Sequence, residues 1–352
     1  MRFERRTEPS RAVLVAAPLA ALAVTLAITS LLVAWAGAPV ARAYALLIEG
    51  GFGSRFAITE TLTRATPLIL TGLAAAVAFR ARLYNIGAEG QLYAGALAAV
   101  AVGGMHGGEG FALSPWLLLP LMMAAAAAAG AALLLGPAWL KSRLGVDEVV
   151  TTLLLNFIVL LFVSMMLDGP MKDPAAMGWP QSVTLQEALQ LDKLVERSRV
   201  HSGLVGALVA ALAMWALLRF TTTGFEIRAA GANSRAAAFA GMPVGWITVK
   251  VALLSGALAG LAGAVEVAGR ASYVTLDMSP GVGYTGIVIA MLAMLNPLGV
   301  IAAAVFVAGM LVGADSMSRA VGVPTYIADV ITAVALIAML VATMFTQYRL
   351  RR

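Results

Sequence analysis

The sequence predicts an all-α, polytopic membrane protein with about ten transmembrane helices and both termini cytoplasmic, and three observations carry that expectation. Of its 352 residues, 61% are apolar and 12% are charged, against about 45–50% and about 25% in soluble domains; mean hydropathy is +0.90. So little charge cannot cover the surface of a soluble domain of this length, which excludes an ordinary cytosolic enzyme. The apolar residues gather into runs that reach or approach the ~20 residues a helix needs to cross a bilayer. Fifteen of the 24 Lys and Arg residues fall in segments that are inner if the first span runs outward, the bias expected of cytoplasmic loops.

The first run, 12–36, follows Arg2, Arg5, Arg6 and Arg11 and precedes Ala41-Arg42-Ala43, which imitates a signal-peptide cleavage site. A secretory apolar core has about 7–15 residues, so this longer run reads as a retained first span. Further spans are expected at 60–79, 86–105, 115–139, 149–167, 203–219, 246–268, 284–295, 298–315 and 326–346. Asn296-Pro297 parts the eighth from the ninth, and because proline blocks a helix hydrogen bond these two are expected to form a hairpin of short or tilted helices. Residues 1–352 are read as one transmembrane domain. The six alanines Ala124–Ala129 and the stripe Gly256-x-x-x-Gly260 with Gly263 permit close helix packing in lipid. Trp35, Trp116, Trp139 and Trp246 stand near span ends and read as interfacial anchors.

Two loops stand out. In the outer loop 168–202, Leu185, Leu189, Leu191 and Val195 have loosely helical spacing, so the segment reads either as an amphipathic surface helix or as a solvated linker. The inner loop 221–243 is rich in Gly, Ala and Arg. There Asn233 or Ser234 can cap a short helix running through Ala240, which Gly241 and Pro243 end. A short helix with small residues on one face suits docking into another protein's groove.

No cysteine is present, and the two histidines, His106 and His201, lie in polar stretches. Disulfides, thiolate chemistry and a histidine metal site are therefore not expected. No nucleophile–base pairing suggests a catalytic residue. The most unusual stretch is 79–93, where Asn85 and Glu89 stand four apart and Gly87 and Gly90 weaken the helix. A carboxylate in the hydrocarbon costs ~2.5–3.5 kcal/mol on insertion scales and is tolerated facing a polar pathway, as in broken transport helices. The plainer reading places Glu89 at the interface, bridged to Arg80 or Arg82. Asn156 is a second isolated polar group, bonding either a neighbouring helix or a solute. Glu266, near an outer span end, reads as snorkelling to water. Tyr284 and Thr285, behind Pro280 and Gly283, suit an outer gate.

The segments Tyr84-Asn-Ile-Gly-Ala-Glu-Gly-Gln91, Gly224-Phe-Glu-Ile-Arg-Ala-Ala-Gly-Ala-Asn233, and Gly283-Tyr-Thr-Gly286 with Asn296-Pro-Leu-Gly299 resemble permeases of ABC importers for ribose, branched-chain amino acids and related solutes. The resemblance covers about residues 60–346, and its glutamate-bearing first motif is similar to the nucleoside branch served by a BMP-type lipoprotein. It implies a type-II-like permease of a bacterial cytoplasmic (inner) membrane. The implied partners are a cytoplasmic ABC ATPase, a second permease (a paralogue or itself) and an extracytoplasmic solute-binding lipoprotein, with no nucleic acid. No G-x-x-x-x-G-K-[ST] phosphate loop occurs, so ATP-Mg belongs to the ATPase and this chain binds no cofactor. The resemblance places the region of Asn85, Glu89 and Gln91 on the solute pathway, and Tyr84, Tyr93, Asn156 and Tyr284 join it as candidates from their own chemistry. Gly224, Glu226, Arg228, Gly231, Asn233, Ser234, Ala237 and Gly241 fall in the ATPase-coupling loop. A permease for simple sugars such as ribose, and an ion-coupled secondary transporter using Glu89 and Glu266 as carboxylate relays, are the competing readings.

Overall fold

The apolar runs fold as helices, joined by short polar breaks. A computed structural model describes residues 2–5, 11–35, 37, 39–107, 109–322, 330, 333–334, 337–338, 341–342 and 348–351. The helices are α1 (Arg11–Trp35), α2 (Val40–Phe52), α3 (Arg55–Arg80), α4 (Ala88–Gly103), α5 (Pro115–Leu144), α6 (Glu148–Asp168), α7 (Gly203–Phe220), α8 (Thr222–Ala232), α9 (Ser234–Phe239), α10 (Val244–Glu266), α11 (Val282–Leu292) and α12 (Pro297–Val321). Strands β1 (Arg2–Arg5) and β2 (Tyr348–Arg351) pair antiparallel. The span expected at 326–346 lies outside the described residues apart from isolated positions.

Among the described residues, α3, α5, α6, α7, α10 with its continuation to Ala271, and α12 are long and apolar enough to cross a membrane. Ala23–Trp35 of α1 and α2 form a further candidate, bent by 114°. Helix α2 was not expected, because Arg42 and Glu49 interrupt its apolar pattern. With 16 and 11 residues, α4 and α11 are about 24 and 16 Å long at 1.5 Å per residue, less than a hydrocarbon core of ~30 Å. Helix α12, by contrast, is a full 25 residues, so only the first member of the expected hairpin is short.

The chain divides into two compact parts, Met1–Leu62 with Val305–Arg352, and Thr63–Ala304. In the first, Gly51 of α2 meets the Gly309 backbone of α12, and Gly313 meets that of Leu47. In the second, α4, α5 and α10 form the centre. Gly260 of α10 lies against the Ala126 carbonyl of α5, and Gly263 lies against the Leu92 carbonyl of α4. A Cβ at either place would overlap backbone, which is why the small-residue stripe lies where three helices meet.

The segment from Asp168 to Ser202 is not an amphipathic helix. It has two short 3₁₀ turns, Pro174–Ala176 and Glu187–Leu189, and extended pieces whose backbone groups bond neighbouring segments. Leu185 N–H donates to Ser272 at 2.7 Å, Leu191 N–H to Ala268 at 2.9 Å, and Met105 N–H to Thr184 at 2.9 Å. With donors committed across the chain, a local helix has nothing to gain. Leu185 and Leu189 instead fill a cluster with Leu118, Met122 and Ala264. His201 packs on Gly203 and Gly269, and burial pushes its imidazole down to about 4, so the ring is neutral at pH 7.

Glu266 is buried, not snorkelling, and pairs with Arg270. There α10 passes into a π-helical turn, Val267–Ala271.

Candidate functional site

Helix α3 ends at Arg80 and α4 begins only at Ala88. Between them the chain is irregular, with Leu83, Asn85 and Gly87 buried, which is tolerable in an apolar interior only if each buried backbone polar group finds a partner. Carbonyls of residues 78–83 take four of its N–H groups and Asn85 Oδ1 takes that of Gly87; helix α6 takes the others. Glu148 accepts from Tyr84 N–H at 3.1 Å, Thr152 Oγ1 from Ile86 N–H at 3.2 Å, and Asn156 Oδ1 from Gly90 N–H at 2.8 Å. These three side chains stand four apart, so they form a ladder along one helix face. Asn156 Nδ2 also donates to the Ile86 carbonyl at 2.9 Å and to the Tyr284 hydroxyl at 3.0 Å. Among the alternatives left open for Asn156, the structure shows the bond to neighbouring segments.

Because α4 starts after Asn85, Asn85 and Glu89 do not share a helix face. Asn85 and Gln91 exchange paired amide bonds, both 2.9 Å. Asn85 Nδ2 also donates to Ser255 Oγ at 3.0 Å, and Ser255 donates on to the Ala74 carbonyl at 2.8 Å. This chain of bonds fastens the break to α10 and α3.

Glu89 points the other way. It is 3% exposed, and its two oxygens accept from Gly281 N–H at 3.3 Å and Gly283 N–H at 2.6 Å. Neither Arg80 nor Arg82 bonds it, so the interfacial salt bridge is replaced by a carboxylate on the positive end of α11. Four residues on, the Tyr93 hydroxyl accepts from Ser279 N–H at 3.2 Å and donates to the Leu276 carbonyl. Glu89 and Tyr93 thus hold both sides of the turn leading into α11. Gly283 sits directly on the Glu89 backbone, a contact open only to glycine.

The sequence-selected residues therefore separate. Asn85, Glu89, Gln91, Tyr93 and Asn156 are buried, each hydrogen-bonded within the chain, whereas Tyr84 and Tyr284 are 44% and 37% exposed. The space bounded by Gly87, Gly90, Thr152 and Asn156 has no room for a water molecule. Glu148 and Thr152 escaped the sequence reading, although their spacing of eight and four from Asn156 was a usable signal.

The inner loop is two helices. Thr221 caps α8 through a bond from Gly224 N–H at 3.1 Å, and Asn233 caps α9 through Ala236 N–H at 3.1 Å. The expected end follows, with Gly241 at φ +82° and Met242 N–H closing on Ala237 at 3.0 Å. Glu226 pairs with Lys250 at 3.0 Å. Arg228 lies within electrostatic reach of Arg80. Gly224 rests on the Leu217 carbonyl and Gly231 on that of Arg80. Ala237 is buried as well, so Gly231 and Ala237 pack inward and are not a docking face. The outward residues include Asn233, Ser234, Arg235, Ala236, Ala238, Phe225 (55% exposed) and Phe239 (96% exposed). No sequence spacing marks the two aromatics as exposed.

The family model described as branched-chain amino acid transport system / permease component matches residues 57–340. The chain belongs to this permease family. It is 38% identical to the guanosine ABC transporter permease NupP of Bacillus subtilis, over 93% of each chain. It is 35% identical to the glucose ABC transporter permease TsgB13 of Haloferax volcanii, over 87% of this chain and 82% of that one. It is 31% identical to the nucleoside ABC transporter permease NupB of Lactococcus lactis subsp. cremoris, over 82% and 80%. The protein is therefore the multi-pass, membrane-embedded permease subunit of an ABC importer and not an enzyme, and it works with an ATPase and other partner subunits.

Proposed function

We propose that this permease carries nucleosides inward across a bacterial cytoplasmic membrane. The observation that carries this is the likeness to a guanosine permease along 93% of both chains; the glucose permease at 35% identity keeps a sugar as the competing solute. A receptor lipoprotein delivers the solute, a second permease completes the passage, and ATP-Mg is hydrolysed on the ATPase. The half-exposed rings of Tyr84 and Tyr284 offer aromatic surface to a base, while the buried polar ladder holds the path's walls. The test is competition for uptake of labelled guanosine by the complete transporter. Unlabelled nucleosides should suppress uptake and glucose or ribose should not; suppression by the sugars alone would overturn the solute assignment.

The charge bias supports a cytoplasmic α8–α9 pair and cytoplasmic termini, and the β1–β2 pairing supports both termini on one side. Phe225 and Phe239 then face the ATPase, with Gly224, Glu226, Arg228, Gly231, Asn233, Ala237 and Gly241 shaping the pair behind them. In this cysteine-free chain, Met177→Cys should label with an impermeant reagent from outside intact cells and Ser234→Cys only from inside. Met177 is fully exposed, whereas Ser182 in the same loop is buried and unsuited as a probe. Phe239→Asp should lower ATPase copurification about tenfold or more, the usual cost of losing an aromatic anchor. Outside labelling at Ser234→Cys, or undiminished copurification, would remove the coupling role.

A further inference from the structure

At the end of the Thr63–Ala304 part that carries α8 and α9 lies a cavity of about 490 Å³. It has the size of a small-molecule pocket, typically about 300–1,000 Å³, and is too large for a bare anion to fill. The residues that give it chemistry are Arg82, Tyr84, Lys141, Ser142, Ser234 and Thr248. No acidic side chain lines it. Lys141 is held in place by Glu148 and by the Arg82 carbonyl, so its charge is largely offset. Arg82 is different: it is exposed, and its guanidinium has no acidic partner among the described residues. It sits at φ +56°, in a backbone turn fixed by the Lys141 bond to its carbonyl. A fixed turn that presents an uncompensated guanidinium suits a phosphate group, which arginine binds with two parallel N–H donors; Ser234 lines the same cavity, while the Ser142 and Thr248 hydroxyls donate to the Trp139 and Val244 carbonyls. The Tyr84 ring, 44% exposed, lies in the same cavity, with Lys141 Nζ 5.9 Å from its centroid and Phe79 in an edge contact. The first turn of α10 adds backbone N–H groups with no capping side chain.

We propose that this cavity binds a nucleoside 5′-monophosphate, its phosphate on Arg82 and its base beside Tyr84, and that occupancy slows uptake. The ligand class rests on the nucleoside reading above, since phosphorylation is the reaction class that consumes an imported nucleoside and traps it as an anion. Slowing follows from placement: the occupant would lie between Ser234 of α9, Ser142 of α5 and Thr248 of α10, so α9 could not close on α5 without expelling it.

The test is equilibrium binding of labelled GMP to the complete transporter in nanodiscs, in wild type, Arg82→Gln and Gly245→Phe. Gly245 lines the cavity and has open space where a side chain would project, so phenylalanine fills the pocket without displacing backbone. GMP held by the ATPase is common to all three and cancels in the comparison. Arg82→Gln should weaken the permease component at least tenfold and Gly245→Phe should abolish it, with guanosine and inorganic phosphate each competing at least tenfold less well than GMP. In proteoliposomes, GMP on the α8–α9 side should slow wild-type guanosine uptake and leave Gly245→Phe unaffected. Binding unchanged in both variants, inorganic phosphate competing as well as GMP, or a signal that follows phosphatidylglycerol content and ignores GMP would each overturn the proposal. Guanosine uptake measured without GMP separates the two claims. Its presence with no GMP site defeats only this inference, and its absence defeats the nucleoside reading.

Discussion

Glu89→Leu is expected to abolish uptake by loosening the start of α11, while Glu89→Gln retains part of it. The carboxylate serves two buried backbone donors, Gly281 and Gly283. Leucine strands both, at about 1–3 kcal/mol for each buried unsatisfied group. Glutamine keeps one acceptor oxygen and turns its NH₂ toward the other donor, so its loss should be intermediate. Thermal unfolding of the purified variants should rank wild type above Gln and Gln above Leu, and uptake should follow the same order. If the residue carries protons instead, both variants would fold normally and Gln would be as inactive as Leu.

Asn156→Leu should be equally severe for a different reason. It leaves Gly90 N–H and the Ile86 carbonyl without partners and removes the link to Tyr284, so the break between α3 and α4 loses its principal clamp. Two stranded backbone groups at about 1–3 kcal/mol each are a large share of the stability of a typical domain, ~5–15 kcal/mol. The variant should be recovered in low monodisperse yield with a clearly lower unfolding temperature. Asn156→Asp keeps the acceptor for Gly90 and should fall between. A normally stable Asn156→Leu that has lost uptake would shift Asn156 from scaffold to solute contact.

These two expectations show what the sequence could and could not convey. Hydropathy located α5, α6, α7 and α10 because long apolar runs carry their own signal. The Gly256–Gly260–Gly263 stripe and the Asn233 cap were legible because their chemistry is local. The break at 83–87 was only half legible. Gly87 and Gly90 announced a weak helix, but besides the local Gln91 pairing Asn85 bonds Ser255, 170 residues away, and Glu89 bonds Gly283, 194 residues away. No periodicity encodes such pairings. Helix spacing even misled, since it assigned Asn85 and Glu89 to one face when the helix starts between them. The same limit explains loop 168–202, whose Leu185 and Leu189 are buried by distant helices and not by one of their own making.

The most direct measurement is solute uptake into proteoliposomes holding this permease with its partner permease, receptor and ATPase, with ATP and the proton gradient varied independently. Uptake should require ATP and the receptor and be indifferent to the gradient. Gradient-driven uptake in the absence of ATP would contradict the account.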